Sequence, residues 1–372
     1  MKIMNIVGAR PNFMKIAPLM KEMQRHADVQ ALLIHTGQHY DASMVKQFFD
    51  DLQIPPPDVS LEVGSGSHAY QTGEIMKRLE PIMERERPDV VLVVGDVNST
   101  IAAALTASKL RIKVAHVEAG LRSFDRTMPE EINRLLTDAI ADFLFVTEES
   151  GVTNLKIEGV SQDKIFFVGN VMIDSLEASR RLWGQSLIRQ QLSLEERQYG
   201  VVTLHRPSNV DDPLTLRNVL GALAQIATDL PIVFPVHPRT RKRLEDNTDM
   251  KSLLHFGKDA AVEKGIYCID PLGYIDFMSL VAGAKIILTD SGGIQEETTA
   301  LRIPCLTLRE NTERPVTITH GTNCLVGCSS KRIIDEARRV LAGVSTHSSV
   351  PPLWDGKASE RIVEVLRRHL AR

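Results

Sequence analysis

Short apolar, β-branched runs alternate along the chain with longer segments whose apolar residues recur at helical spacing. The first series of runs is KIMNIVG (2–8), QALLIHTG (30–37), DVVLVVG (89–95), KVAHVEA (113–119) and FLFVT (143–147). Segments such as FMKIAPLMKEMQRH and STIAAALTASKL, which lie between them, follow the helix period. Runs that are apolar at nearly every position suit strands buried on both faces. The pattern therefore predicts a parallel sheet covered by helices on both sides. A second series repeats it: YGVVTLH (199–205), PIVFPVH (231–237), GIYCID (265–270), KIILTD (285–290), CLTL (305–308) and NCLVG (323–327). Between the two series, residues 169–199 are helical, rich in Gln, Arg and Glu, and carry no strand run. The expected fold is α/β, with two doubly wound, Rossmann-like domains. Residues 1–170 form the first, joined by a C-terminal helix 358–372 returning across PPLWDG, and residues 171–357 form the second.

A length of 372 residues agrees with two cores rather than one. The formal net charge of −3 supplies no global basic field for nucleic acid or an anionic membrane, so an anion must be bound by a local arrangement. No apolar stretch reaches the roughly 18 residues of a membrane span. The 4 cysteines, at 268, 305, 324 and 328, form no CxxC pair and have no companions to complete a metal site. They read as buried, reduced thiols in a reducing compartment. The N-terminal MKIMNIVGARP is too short and too polar for a signal peptide and reads as the first strand, which leaves the cytoplasm as the expected location.

The unusual polar residues gather where the strand runs end, which is where open α/β sheets bind ligands. In LTDSGGIQEETTA (288–300), Ser291 suits a helix N-cap, and Gly292 and Gly293 let a ligand approach the backbone. Exposed amides and the helix dipole there favour a phosphate. Glu297 follows Ser291 by six residues, roughly 9 Å along a helix axis, about the span from a diphosphate to its ribose hydroxyls. Taken alone, SGG is equally a tight turn followed by solvated glutamates. Other strand ends tip the balance. GARPNFMK (8–15) places Arg10 and Lys15 after the first strand, where the plain alternative is a surface pair. VVGDVNST places Asp96 after a glycine, where the alternative is a helix cap. HVEAG sets Glu118 among apolar residues, and a carboxylate there needs a partner. PEEINR begins a helix at Pro129 with Glu130 and Glu131 in its first turn and Arg134 behind them. In the second half, His205 in TLHRPSN and His237 in PVHPRT stand at two strand ends, and Arg314 follows a third. Carboxylates thus collect in the first half and nucleotide-type contacts in the second, as a nucleotide-linked sugar would require.

These motifs, GARPNFMKIAPL, GDVNSTIAAAL, HVEAGLRS, PEEINR, TLHRPSN, PVHPRT, LTDSGGIQEE and TERP, occur in an order that closely resembles the non-hydrolysing UDP-N-acetylglucosamine 2-epimerases, over about residues 3–330. The resemblance implies a glycosyltransferase-B type fold with an interdomain active-site cleft, a homodimer, a small nucleotide-sugar substrate, and no metal or other cofactor. It implies interconversion of UDP-N-acetylglucosamine and UDP-N-acetylmannosamine by elimination of UDP to 2-acetamidoglucal and re-addition. By the same resemblance Asp96, Glu118, Glu130 and His205 are the proton-transfer groups. Arg10, Lys15, Ser291, Gly292 and Gly293 serve the diphosphate and Glu297 the ribose. His237, Phe277 and Arg314 fall at matching binding positions, with Phe277 packing on the uracil. Ser208 stands where many members carry an acid. The stretch SGSHAYQTG (65–73), which follows TGQH (36–39), lacks the arginine of members activated by a second substrate molecule. Two neighbouring readings remain at this point: the same chemistry on a related 2-acetamido sugar, or glycosyl transfer on the same fold. A non-catalytic nucleotide-sugar sensor is a third; it would need the second-half contacts but not the carboxylates.

Overall fold

The structure, a computed structural model, describes residues 1–38, 49–246, 254–256, 264–344 and 349–370. The chain divides into two compact units, Met1–Ala178 with Pro352–Arg372, and Ser179–Pro351. The α/β class and the two doubly wound sheets read from the pattern are the ones found. Among the described residues each unit holds one seven-stranded sheet, with every pairing parallel.

In the first unit the strands are β1 (Lys2–Val7), β2 (Gln30–His35), β3 (Val59–Ser60), β4 (Val90–Val94), β5 (Lys113–Ala119), β6 (Phe143–Val146) and β7 (Ile165–Phe167). Their order is β3-β2-β1-β4-β5-β6-β7, so the winding reverses between β1 and β4. At that reversal the connections leave to opposite faces and open a crevice at the strands' carboxyl ends. Asn12 ties its two sides together. Its Oδ1 accepts from the amides of Gly8 and Ala9, both at 3.1 Å, and its Nδ2 donates to the Val94 carbonyl at 2.9 Å.

The second unit repeats the plan with β8 (Gly200–Thr203), β9 (Ile232–Pro235), β10 (Leu254–Phe256), β11 (Ile266–Ile269), β12 (Ile286–Thr289), β13 (Cys305–Thr307) and β14 (Asn323–Leu325), in the order β10-β11-β9-β8-β12-β13-β14. Its reversal lies between β8 and β12, whose register pairs Thr203 with Thr289. Three strands went unread in the sequence: β3, β7 and β10, each at a sheet edge and of two or three residues. Segments this short carry no periodic signal of their own; the neighbouring strand recruits them. The thiols also differ from expectation. Cys268 and Cys305 are buried, and burial pushes each up to about 12, but Cys324 and Cys328 are only partly covered.

The division between units falls after the helix Val171–Ala178, whereas the sequence reading drew it at 170/171. That helix is fastened to the first unit. Ser175 donates its hydroxyl to the carbonyl of Met14. The Asp174 carboxylate accepts from the amides of Ala358 and Ser359 at 3.1 and 2.7 Å and from the Ser359 hydroxyl at 2.6 Å. It thereby holds the start of the final helix, Ala358–Leu370, which belongs to the first unit. Burial pushes the Asp174 carboxyl above its usual range, and those hydrogen bonds oppose the rise.

Gly169 sets the path of this return. Its φ is +88°, and a Cβ built on it would lie 2.0 Å from the carbonyl oxygen of Leu353. Substitution Gly169→Ala therefore meets backbone rather than a movable side chain, and adds left-handed strain. It is expected to cost about 2 kcal/mol or more of stability. A denaturation midpoint equal to that of the wild type would contradict this account of the chain's return.

Candidate active site

In the first unit the site grows from a break in β5. Its register against β6 shifts between Val117 and Ala119, and Glu118 itself has φ +77°. A left-handed glutamate inside a strand is rare and costs of order 1 kcal/mol, so its surroundings must hold it there. The bulge re-aims a side chain that would otherwise point into a sheet face. Glu118 is 6% exposed, and its carboxylate pairs with the ammonium of Lys15, on the helix Arg10–Met23, which is equally buried. Gly95, after β4, lies against this pair: its φ is +69°, and a Cβ there would sit 2.9 Å from Lys15 Nζ and 3.4 Å from Glu118 Oε2. The glycine of GDVNST is thus required by an ion pair as well as by a turn.

Asp96 follows immediately. Its Oδ2 accepts from Arg134 Nε at 3.0 Å and Nη2 at 2.7 Å, two charge-assisted bonds that anchor this oxygen of the carboxylate. Arg134 stands on the helix Pro129–Ile140 and also pairs with Glu131 at 2.6 Å. Glu131 in turn accepts the amides of Ser123 and Phe124, both at 2.9 Å. Of the adjacent glutamates, then, Glu131 is buried and committed to the loop, while Glu130 is partly exposed and its carboxylate has no ion pair among the described residues. Pro129 is the first residue of this helix, as its sequence suggested.

In the second unit, His205 and Asp290 meet where β8 and β12 end. His205 Nδ1 lies 2.7 Å from Asp290 Oδ1, with His205 half-exposed and Asp290 wholly buried. Asp290 Oδ2 also accepts the amides of His205 and Arg206 at 3.0 and 2.9 Å, and Asn209 Nδ2 at 3.2 Å. Burial alone would raise the Asp290 carboxyl, but its bonds to His205 and the two amides hold it below the usual range. An ionised Asp290 accepts a hydrogen bond from the Nδ1–H of His205 and leaves Nε2 facing away from itself, which fixes the imidazole's tautomer and orientation.

Ser291 is the N-cap residue of the helix Gly292–Leu301, and its side chain makes no capping hydrogen bond. A Cβ on Gly292 would come within 2.6 Å of Arg314 Nη1. That glycine admits the guanidinium, which pairs with Glu296 at 2.8 Å and with Glu313. Glu313 also binds Arg309 at 2.9 Å. Glu296 and Glu297 are 1% and 4% exposed, so neither is a solvated helix position. Glu297 accepts from the Tyr274 hydroxyl at 3.2 Å. Phe277 lies one turn beyond Tyr274 on the helix Tyr274–Gly283 and is partly exposed; His237, just past β9, is exposed.

The structure thus joins Lys15 to Glu118, sets Asp96 beside that pair, and gathers Gly292 with Arg314. The Arg10 side chain and the last residue of TGQH lie outside the described residues. Sequence reasoning missed the partners. Asp290 stands beside SGG with no local sign of its partner, because only the pairing of β8 with β12 brings it to His205. Arg134 was noticed, but its grip on Asp96 spans 38 residues and has no local signature.

A family model described as UDP-N-acetylglucosamine 2-epimerase matches residues 21–367. A Methanococcus maripaludis protein, described as a UDP-N-acetylglucosamine 2-epimerase homolog, is 47% identical over 99% of this chain and 99% of its own. The UDP-2,3-diacetamido-2,3-dideoxy-D-glucuronate 2-epimerase of Pseudomonas aeruginosa is 39% identical over 99% of this chain and 100% of its own. The crystal structure of the Methanocaldococcus jannaschii UDP-GlcNAc 2-epimerase, in complex with UDP-GlcNAc and UDP, superposes with a TM-score of 0.88 at 42% identity, covering 99% of this chain and 100% of that one. Matched by the family model over 21–367 and by relatives along their whole length, the chain belongs to the UDP-N-acetylglucosamine 2-epimerase family.

Proposed function

We propose that the protein interconverts UDP-N-acetylglucosamine and UDP-N-acetylmannosamine by eliminating UDP across C-1 and C-2 and adding it back to the 2-acetamidoglucal from the other face. The observation that carries this reading is Glu118, a buried carboxylate held at φ +77° against Lys15. The C-2 proton is not acidified by a neighbouring carbonyl, so its removal must be coupled to departure of the diphosphate. That demands a base fixed in place and shielded from water. Asp96, aimed by Arg134, and the uncommitted Glu130 supply the further groups that inversion on two faces needs. His205, oriented by Asp290, offers Nε2 for proton exchange with the substrate.

On the nucleotide side, the Ser291 hydroxyl, the amides of Gly292 and Gly293 and the positive end of their helix suit the diphosphate, whose charge grows as it leaves. Glu297 is assigned to the ribose, Phe277 to the uracil, and Arg314, His237 and Arg10 to the remaining nucleotide contacts. Lys15, which pairs with Glu118, is assigned to the diphosphate as well. A homodimer in the cytoplasm accompanies this family reading. A second reading keeps the mechanism and changes the sugar to a 2,3-diacetamido uronic acid; the 39% identity to an enzyme named for that sugar supports it.

Incubation of the protein with UDP-N-acetylglucosamine in deuterium oxide is expected to give the manno epimer with deuterium at C-2, measured by NMR. Turnover of the uronate alone, with no exchange on the N-acetylglucosamine compound, would select the second reading. Glu118→Gln is expected to lower kcat by about 10²- to 10⁴-fold while UDP still binds, as read by calorimetry. Unchanged turnover would remove Glu118 from the chemistry.

Asp290→Asn tests the orientation of His205. It is expected to lower kcat about 10- to 100-fold. Because the folded Asp290 carboxyl is held low, its contribution to stability is present above the unfolded carboxylate range and is lost as pH falls through the lower folded value. The stability gap between wild type and D290N should therefore be open at neutral pH and close on acidification below about pH 4. A gap that widens on acidification would refute this assignment.

A further inference from the structure

His116 lies in β5, two residues before Glu118, and is wholly buried. Its Nδ1 is 2.6 Å from Asp138 Oδ1, and its Nε2 is 2.8 Å from the carbonyl oxygen of Gly95. A carbonyl only accepts. Asp138 is also an acceptor: its other oxygen takes the Gly120 amide and the Arg122 guanidinium, the arrangement of an ionised carboxylate. A neutral imidazole donates from one nitrogen only, so one of the two contacts would set lone pair against lone pair. A ring protonated at both nitrogens satisfies both.

The other oxygen of Asp138 accepts the Gly120 amide at 3.0 Å and pairs with Arg122 at 2.7 Å. Arg122 is anchored in turn by Glu158 at 2.6 and 2.8 Å. Asp138, Arg122 and Glu158 are thus the charged groups on this side of the ring, and the Lys15–Glu118 pair flanks Gly95 on the other. The ends of this chain of bonds are two left-handed glycines, Gly95 at φ +69° and Gly120 at φ +81°. Gly95 precedes Asp96, and Gly120 follows Glu118 by two residues. A Cβ on Gly120 would strike the Gly151 carbonyl oxygen at 2.5 Å, so this turn has no slack of its own.

We infer that His116 is a buried imidazolium, and that with Asp138 it forms a positioning pair clamping the Gly95 and Gly120 turns, and so holding Asp96 and Glu118 in reacting geometry. The inference rests on reading those two carboxylates as proton-transfer groups, while the charge of the ring is measurable without that reading. Neither residue touches the substrate; both act through the backbone of the turns.

The first measurement is the ¹⁵N NMR spectrum of histidine-labelled wild-type protein at about pH 6.5 and about pH 8.5, with His116 assigned by its loss in H116Q. Both ring nitrogens are expected to be protonated at each pH, and a neutral tautomer at either overturns the inference. The second is Asp138→Asn, which keeps an acceptor but removes the counter-charge. Its ring is expected to become neutral, and deuterium exchange at C-2 to fall about 10- to 100-fold, with KM and UDP affinity within about twofold of wild type. A neutral ring with exchange undiminished overturns the positioning role. Should D138N not fold, H116Q is assayed in its place, and exchange within about twofold of wild type has the same consequence. A wild-type enzyme that exchanges no deuterium refutes the proposed reaction instead, whatever the charge of the ring.

Discussion

Much of the first unit's carboxyl edge is arranged around one buried ion pair, Lys15 with Glu118. Taking a carboxylate and an ammonium out of water costs several kcal/mol each, and only close pairing with supporting bonds offsets that. Removing either partner would leave an uncompensated buried charge, typically about 3–5 kcal/mol worse. The chain meets this demand from three elements at once. The helix Arg10–Met23 supplies the cation, the bulge in β5 turns the anion toward it, and the bare Cα of Gly95 leaves room for both. A pair designed only for stability would need no left-handed glutamate. A carboxylate that must be dry, charged and aimed does.

The helix Pro129–Ile140 shows the same constraint from the other side. Its buried face is lined by Glu131, Arg134, Thr137 and Asp138 where an ordinary α/β protein would set leucines and valines. Spacings of three and four residues put Glu131, Arg134 and Asp138 along one stripe. Each takes hold of a different part of the site. Glu131 binds the amides of the 123–124 loop, Arg134 binds Asp96, and Asp138 binds His116 and Gly120. The helix is therefore a scaffold of directed bonds, which fix the geometry of a loop more strictly than apolar packing does.

Class, strand series and site neighbourhoods were legible because long apolar runs and strand-end polar residues are local signals. Where each winding reverses depends on strand order, which alternation of strand and helix alone does not give. What was not legible depends on register or on long-range pairing. Glu130 and Glu131 are identical in sequence terms, yet helix phase buries one and leaves the other partly open. Lys15 reads as a phosphate contact or a surface cation, and nothing local to it announces Glu118, 103 residues away. Edge strands such as β3 owe their conformation to the neighbour they pair with, so no window of their own residues reports them.

The second unit applies to a different group the rule seen at Glu118, that a side chain proposed to react is held by a buried group of opposite charge. Asp290 is the buried member and His205 the half-exposed one, so here the acid orients and the ring faces outward. Arg314 is likewise held between Glu296 and Glu313, beside a glycine that leaves it room. In each unit one glycine that looks like ligand-binding flexibility, Gly95 in the first and Gly292 in the second, lies against the protein's own charged side chains. These two glycines seat charged residues as well as shaping a turn. In this chain a glycine-rich turn is therefore better read together with the cation packed against it than as a phosphate loop by itself.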